Sequence, residues 1–283
     1  MDSKSKRDIK VVKSNSLVQA KYRLSVQEQR VMLLAISQIQ KNDVISESKL
    51  YSVYAKDLAE LSGMTLPQAY KELKAAALKL KRREVSIYEQ PNGKGIHHSV
   101  MIANWVQTIR YIEGEGKINL RFNYDMIPYI NQLTTEFTEF FMHSIEHNAF
   151  QMSSTYGYRL YELLMQWKSS GKREVEVEWL RDVFDLKDSY KLMADFKKRV
   201  VDPAIEDINN HTQYCAKYTQ QKTGKKITHL IFTFGLKQQK KEKGTSKKPT
   251  KSDLNDPKFL SKHARPGETK DQAIRRLKEQ FSI

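Results

Sequence analysis

The sequence predicts an α+β chain of two tandem winged-helix modules, each a helix-turn-helix with a β-wing, followed by a basic tail. Three observations carry that expectation. Residues 174–234 read as a short strand, a short helix, a tight turn, a long basic helix and a β-ribbon, the outline of a fold that offers one helix to the major groove of DNA. Residues 51–112 repeat the outline. The 283 residues hold 49 Lys and Arg against 33 Asp and Glu, a formal charge of +16. Such an excess points to an anionic partner, with nucleic acid the first candidate.

Apolar residues make up 39% of the chain, enough for two real cores. A single cysteine, Cys215, excludes a disulfide framework and a cysteine-rich zinc site, and fits a reducing cytoplasm. The first residues are polar and charged, unlike a secretory signal, and no apolar run is long enough to span a bilayer.

Residues 1–10 read as a flexible basic arm and 11–147 as the first module. Ser25 and Glu28 form a capping box, each side chain able to bond the other's backbone N–H. The helix it opens, Val26 to Gln40, carries Val31, Met32, Leu33, Leu34, Ile36 and Ile39 around most of its circumference, so it is expected to be buried. Tyr51 to Tyr54 alternates as a strand. A short helix, Lys56 to Leu61, stops at Gly63, which takes positive φ without steric cost, and Pro67 suits the start of the next helix. Tyr70, Leu73, Ala77 and Leu80 recur there at helical spacing, leaving Lys71, Lys74, Ala75 and Lys79 outward. Val85 to Tyr88, the turn Pro91-Asn92-Gly93, and Ser99 to Tyr111 make a hairpin, and Lys117 to Phe122 is a further strand. The module boundary falls late in 124–150.

Residues 148–236 form the second module. Ser153, Ser154 and Thr155 offer caps for a helix through Lys168 with Tyr156, Leu160, Leu163, Leu164 and Trp167 inward, ended by Ser170-Gly171. A strand from Glu174 to Val177 and a helix from Glu178 to Phe184 follow, the helix burying Trp179, Leu180 and Val183. Asp185 to Asp188 is the turn, and Asp188 can cap the long helix expected from Ser189. Leu192, Met193, Phe196 and Val200 share its inner face; Lys191, Ala194, Asp195 and Lys198 face outward, with Lys197 and Arg199 at the flanks. Pro203 kinks this helix or starts a new one. The ribbon runs from Thr212 to Thr219, round a basic tip at 221–226, and back from Ile227 to Phe234, with Cys215 a small filler. Beyond it lie a lysine-rich linker, 237–251, and a short amphipathic helix with Ala273, Ile274, Leu277 and Phe281 on one side. Residues 237–283 hold 14 Lys and Arg against 6 Asp and Glu, half of the net charge. Global charge therefore overstates that of the reading surface.

Four segments resemble the replication initiator (Rep) proteins of iteron-containing bacterial plasmids. They are Asn15 to Val18 with Tyr22 to Arg30, Arg159 to Leu164, Phe196 to Asn209, and Thr228 to Phe234. In that order they span both modules, from about Val12 to Leu236. The resemblance implies two winged-helix domains in a pseudo-two-fold relation. It implies monomers bound at repeated origin sites, and a dimer joined through the first module that represses the rep gene and limits copy number. It also implies recruitment of the host initiator and helicase machinery, no catalytic role and a bacterial cytoplasmic setting. The second module becomes the main reader of bases, and the first adds phosphate and some base contacts. Ala69-Tyr70-Lys71 and Ser189-Tyr190-Lys191 sit at the start of each expected reading helix, an internal likeness between the modules.

The candidate DNA-binding residues follow from what such a helix needs: an apolar face behind and donors in front for base edges and phosphates. In the second module they are Lys187, Ser189, Tyr190, Lys191, Ala194, Lys197, Lys198 and Arg199, with Lys222, Lys225 and Lys226 at the wing tip. In the first they are Lys71, Lys74 and Lys79. Each of these cations could equally be part of a solvated helix face or hairpin tip; its place in a helix-turn-helix with a wing favours binding. His143-Ser144-Ile145-Glu146-His147 matches an H-x-x-E-H zinc pattern, but lacks a third ligand and reads better as structural. His97-His98 is not the His-apolar-His motif of rolling-circle nickases, and no tyrosine stands out as a nucleophile. No Gly-x-x-x-x-Gly-Lys-Ser/Thr loop is present, so ATP hydrolysis has no support. No metal, cofactor, small-molecule substrate or membrane partner is expected. The competing readings are a winged-helix transcriptional repressor without a replication role and, further off, a DNA-nicking replicase.

Overall fold

The computed structural model describes residues 8–40, 43, 45–89, 99–131, 137–144, 147–186, 189–237 and 270–281. The chain divides into one compact unit through Lys237 and a second from Gln238 onward. Among the described residues of the second unit is a helix at Lys270–Phe281, where the amphipathic pattern places it; of the expected linker 237–251 only Lys237 is described, its Nζ donating to Thr212 O at 2.6 Å, and 238–251 lie outside the described residues.

The first unit opens with β1 (Ile9–Ser14), α1 (Asn15–Val18) and α2 (Val26–Ile36). β2 (Tyr51–Tyr54), α3 (Ala55–Ser62) and α4 (Leu66–Leu80) follow. The capping box is present: Glu28 N–H donates to Ser25 Oγ at 3.3 Å and Ser25 N–H to Glu28 Oε2 at 2.7 Å. α2 is buried on nearly every side, from Glu28 to Ile36. It stops short of the predicted Gln40, and Ile39 reaches the core from the turn beyond. Gly63 ends α3 at φ 74°, and Pro67 lies in the first turn of α4, as the pattern requires.

β3 (Glu84–Glu89) and β4 (Ser99–Asn104) pair antiparallel; β5 (Val106–Ile112) instead joins β6 (Lys117–Phe122) in a sheet ordered β2-β6-β5. The expected single strand from Ser99 to Tyr111 is thus two strands in different sheets. Trp105 is the break: fully buried, it turns the chain from one sheet to the other. The Pro91-Asn92-Gly93 turn lies outside the described residues. β7 (Phe137–His143) pairs antiparallel with β1, so Ile9 and Lys10 belong to a strand rather than to a free arm. Sequence periodicity cannot show this pairing, because the two strands are more than 120 residues apart.

α6 (Thr155–Met165) follows a short α5 (Ile127–Ile130). Its inward residues Tyr156, Leu160, Leu163 and Leu164 are buried as expected, but Trp167 lies past its end and is 49% exposed. The opposite side of α6 is buried too. Glu162 accepts from Lys13 Nζ at 2.7 Å, from Arg159 Nη1 at 3.1 Å and from Tyr22 OH at 3.2 Å. Arg159 also donates to the Tyr22 hydroxyl and to Ala20 O, and its guanidinium stacks on the Tyr22 ring. All four side chains are at most 2% exposed. They tie β1 and the segment after α1 to α6.

Burial raises the hydroxyl pKa of several tyrosines; that of Tyr158 is pushed up to about 12 by desolvation, against the opposing pull of Arg30. A group that holds its proton more tightly when folded stabilises the fold fully below its unfolded pKa and loses that contribution as pH rises through the folded value. Tyr158 alone is then expected to cost about 3 kcal/mol of stability between pH 10 and 12, at 1.36 kcal/mol per unit. Urea titrations across that window check it, with Tyr158→Phe flattening the fall.

Candidate nucleic-acid interface

β8 (Lys172–Glu176) and α7 (Val177–Val183) lead into the second reading element. The turn after α7 is tight: Leu186 N–H donates to Arg181 O at 3.0 Å, and Asp185 takes φ 49°. Lys187 and Asp188, a candidate phosphate contact and a candidate cap, lie outside the described residues. The long helix does not start at Ser189. It starts at Met193, with α8 (Met193–Phe196), a π-helical turn at Lys197–Val201, and α9 (Asp202–His211) in continuous succession.

Ser189, Tyr190 and Lys191 therefore sit in a turn before the helix, and the cause is Arg181. Its Nη1 donates to Ser189 O at 3.3 Å and Tyr190 O at 2.7 Å, and its Nη2 to Lys191 O at 3.4 Å. Its guanidinium lies 4.3 Å from the Phe196 ring centroid. These bonds hold three successive carbonyls turned toward Arg181 rather than along a helix axis, and the helix begins one residue after Leu192. Tyr190 consequently adopts φ 55°, a left-handed conformation costly for a bulky residue. Leu192, expected inward, is 69% exposed.

The rest of the element matches its amphipathic reading. Phe196, Val200, Val201, Ala204 and Ile208 are buried, while Ala194, Lys198 and Arg199 face solvent and Lys197 is half-buried. The π turn is explained by Pro203. Proline has no N–H and its ring crowds the carbonyl four residues back, so the turn before it widens. The Asp202 N–H reaches Lys197 O, five residues earlier. Asp207 on α9 then accepts from Ser153 N–H at 3.1 Å and Ser154 N–H at 2.6 Å at the start of α6. This fixes the far end of the element against the domain. A Cβ on Gly157 would meet Asp207 Oδ2 at 2.8 Å, so glycine permits that approach.

The wing is β9 (Tyr214–Thr223) and β10 (Lys226–Leu236), the middle strand of the sheet β8-β10-β9. The strands run further than predicted, and the loop is Gly224-Lys225 alone, with Gly224 at φ 62°. Lys222, Lys225 and Lys226 are exposed; Lys226 Nζ is 3.9 Å from Glu178 Oε1, an exposed pair worth little. Lys197 Nζ donates to Gln220 Oε1 at 3.4 Å, linking reading element and wing. Cys215 is exposed rather than a filler.

In the first module Lys71, Lys74 and Lys79 lie on the exposed face of α4. Lys74 is partly committed, 3.2 Å from Glu113 Oε1 and 5.2 Å from the Tyr111 ring centroid. Tyr70, expected inward, is half-buried in α4 and presses on Gly116, whereas Tyr190 lies in a left-handed turn, so the two Tyr-Lys pairs are not equivalent in backbone. Two cations missed from sequence, Lys81 and Arg82, line with Lys74 a cavity of about 370 Å³ beside β5, floored by Ala77, Leu78 and Ile109. The run Lys79-Leu80-Lys81-Arg82-Arg83 was the available signal. Among the described residues no group of three or more His, Cys, Asp or Glu is placed to hold a metal ion; Ile145 and Glu146 of the H-x-x-E-H pattern lie outside them.

Two helix-turn-helix units with β-wings in one chain match the profiles of two domains, "Initiator Replication protein, WH1" over residues 10–165 and "Initiator Rep protein, WH2" over 176–234. The chain belongs to the Rep3 family of replication initiators. The WH1 profile of this initiator runs through α6, which the sequence reading assigned to the second module. An uncharacterized 27.6 kDa protein of Escherichia coli is 29% identical over 241 residues, covering 82% of the initiator and 98% of that relative. The PI protein of Escherichia coli is 25% identical over 251 residues, covering 80% and 82%. A crystal structure of the Pi initiator protein in complex with iteron DNA superposes with a TM-score of 0.67 at 23% identity, covering 83% of the initiator and all of that chain. That superposition carries the two-domain fold. No helix among the described residues is long and apolar enough to cross a membrane.

Proposed function

We propose that this initiator binds repeated double-stranded sites, iterons, in a plasmid origin and starts replication there as a non-enzymatic DNA-binding protein. A dimer joined through the first module would repress its own gene, and the bound monomers would recruit host initiator and helicase factors. One observation carries the DNA reading. The element Met193–His211 is held from behind by Phe196, Val200 and Ile208, while Lys198 and Arg199 face outward beside an exposed lysine wing. The relative whose structure is described as a complex with iteron DNA shares the two-domain fold. The division of labour between residues 11–147 and 148–236, and the DNA-binding residues named above, belong to the same proposal.

Phosphate contacts from the wing and from α4 would set affinity and its salt dependence; the few side chains at the start of the reading element would set sequence choice. Footprinting over the DNA flanking the gene tests this. Lys191→Ala with Lys198→Ala is expected to weaken protection of the repeats by about tenfold to a hundredfold, with a much smaller loss on unrelated DNA. Unchanged protection would remove this element as the reader. Protection of inverted repeats only, by a dimer that cannot sustain an origin, would favour the repressor reading.

A further inference from the structure

We infer that Leu192 is a specificity-determining residue that reads the 5-methyl group of a thymine in the major groove. The inference rests on the DNA-binding reading above and names the base feature that the site selects.

Leu192 is the N-cap residue of α8, with φ −71° and ψ 134°, and no side-chain cap bond. An isolated exposed leucine needs no explanation by itself. This one differs in three respects. Its backbone is anchored: the three preceding carbonyls are bonded to Arg181, and its own carbonyl accepts from Phe196 N–H at 3.0 Å. A side chain 69% exposed on so fixed a backbone is presented rather than merely loose. Its place is the second respect, since residues at the N-terminal end of a reading helix are those that meet base edges. Its surroundings are the third. Ala194, Lys198 and Arg199 are exposed nearby in sequence, so an apolar side chain stands on a cationic face. A partner with a purely apolar surface would meet neither Lys198 nor Arg199 with a counter-charge, whereas the major groove offers phosphates to these cations and a methyl group to the leucine. Of the four bases only thymine carries a methyl group there, and apolar contact is how it is recognised. The exposed Ala194 adds no bulk to hold the helix away from the base edges.

The test uses the full chain and synthetic duplexes of one protected repeat, in which each thymine is replaced in turn by uracil, which differs only by that methyl. The wild-type chain is expected to lose about fourfold to tenfold in affinity at one or two positions, the size expected for one buried methyl. Leu192→Ala should bind the thymine duplex weaker by a similar factor and be indifferent to uracil at those positions. Leu192→Met, close in volume, should keep the preference. Because Leu192 is exposed, none of these variants threatens the fold. Equal wild-type affinity for thymine and uracil at every position would overturn the inference, as would full thymine preference in Leu192→Ala, while the footprint itself stood. Absence of any protected repeat would instead overturn the parent reading and take this one with it.

Discussion

Replacing Arg181 with alanine is expected to abolish specific DNA binding by about a hundredfold or more while leaving most of the fold intact. Arg181 is 8% exposed and its guanidinium donates to the carbonyls of Ser189, Tyr190 and Lys191. Hydrogen bonds to a charged group are worth about 1.5–3 kcal/mol each when removed from a buried site. Without them Tyr190 keeps its packing against the core but loses the bond that holds its carbonyl at φ 55°, and the turn that sets where the reading helix begins would loosen. The affected backbone is local, so far-UV circular dichroism should change little, while stability falls by several kcal/mol. Arg181→Lys separates charge from geometry. A lysine keeps the positive charge but cannot present a planar fork to three acceptors. It should recover part of the stability and little of the specific affinity. If Arg181→Lys binds the repeats like the wild type, the fork does not position the reader.

A second large effect is expected at Glu162. Glu162→Gln leaves Lys13 and Arg159 buried without a counter-charge, and breaking a buried pair in this way costs about 3–5 kcal/mol. Lys13→Met removes a cation instead, and leaves the Arg159–Glu162 pair whole. Burial already holds the Lys13 amine below its ordinary pKa, with Glu162 pulling the other way. Desolvation makes this charge costly to bury, and removing it leaves one cation facing one carboxylate, so the expected cost of Lys13→Met is below about 1.5 kcal/mol, as for a volume-conserving apolar replacement. Urea denaturation of the two variants should show this ordering. Equal losses would mean that Glu162 is not the shared counter-charge of the two buried cations.

Much of the fold was legible because local chemistry agreed with the tertiary structure. The Ser25–Glu28 box, the left-handed Gly63, Pro67 at the start of α4 and the short strand before α7 each depend on residues within a few positions. The misses share one physical origin, in that a distant group overrode a local preference. Asp188-Ser189 followed by Leu192, Met193 and Phe196 has the form of a capped amphipathic helix. The later start at Met193 is imposed by a guanidinium from the preceding helix. Trp105 divides a run of strand-forming residues because it is needed in the core. Strand β1 exists only through β7. On α6, Arg159 and Glu162 look like the polar face of an amphipathic helix; Lys13 and Tyr22 make them interior. At the interface the cationic residues were readable as types and positions. Their presentation, above all the outward Leu192, was not.

The account stands most directly on one placement, the element Met193–His211 in the major groove of a specific site. Cys215 is the chain's single cysteine, so a Cys215→Ser background carrying Ala194→Cys can be labelled with an iron chelate at one point on that element. Cleavage of the flanking DNA by the bound, labelled chain is predicted to fall in one short cluster per repeat, at the same register in every repeat. Cuts spread evenly along the DNA, or no cuts inside footprints that the labelled chain still makes, would contradict it.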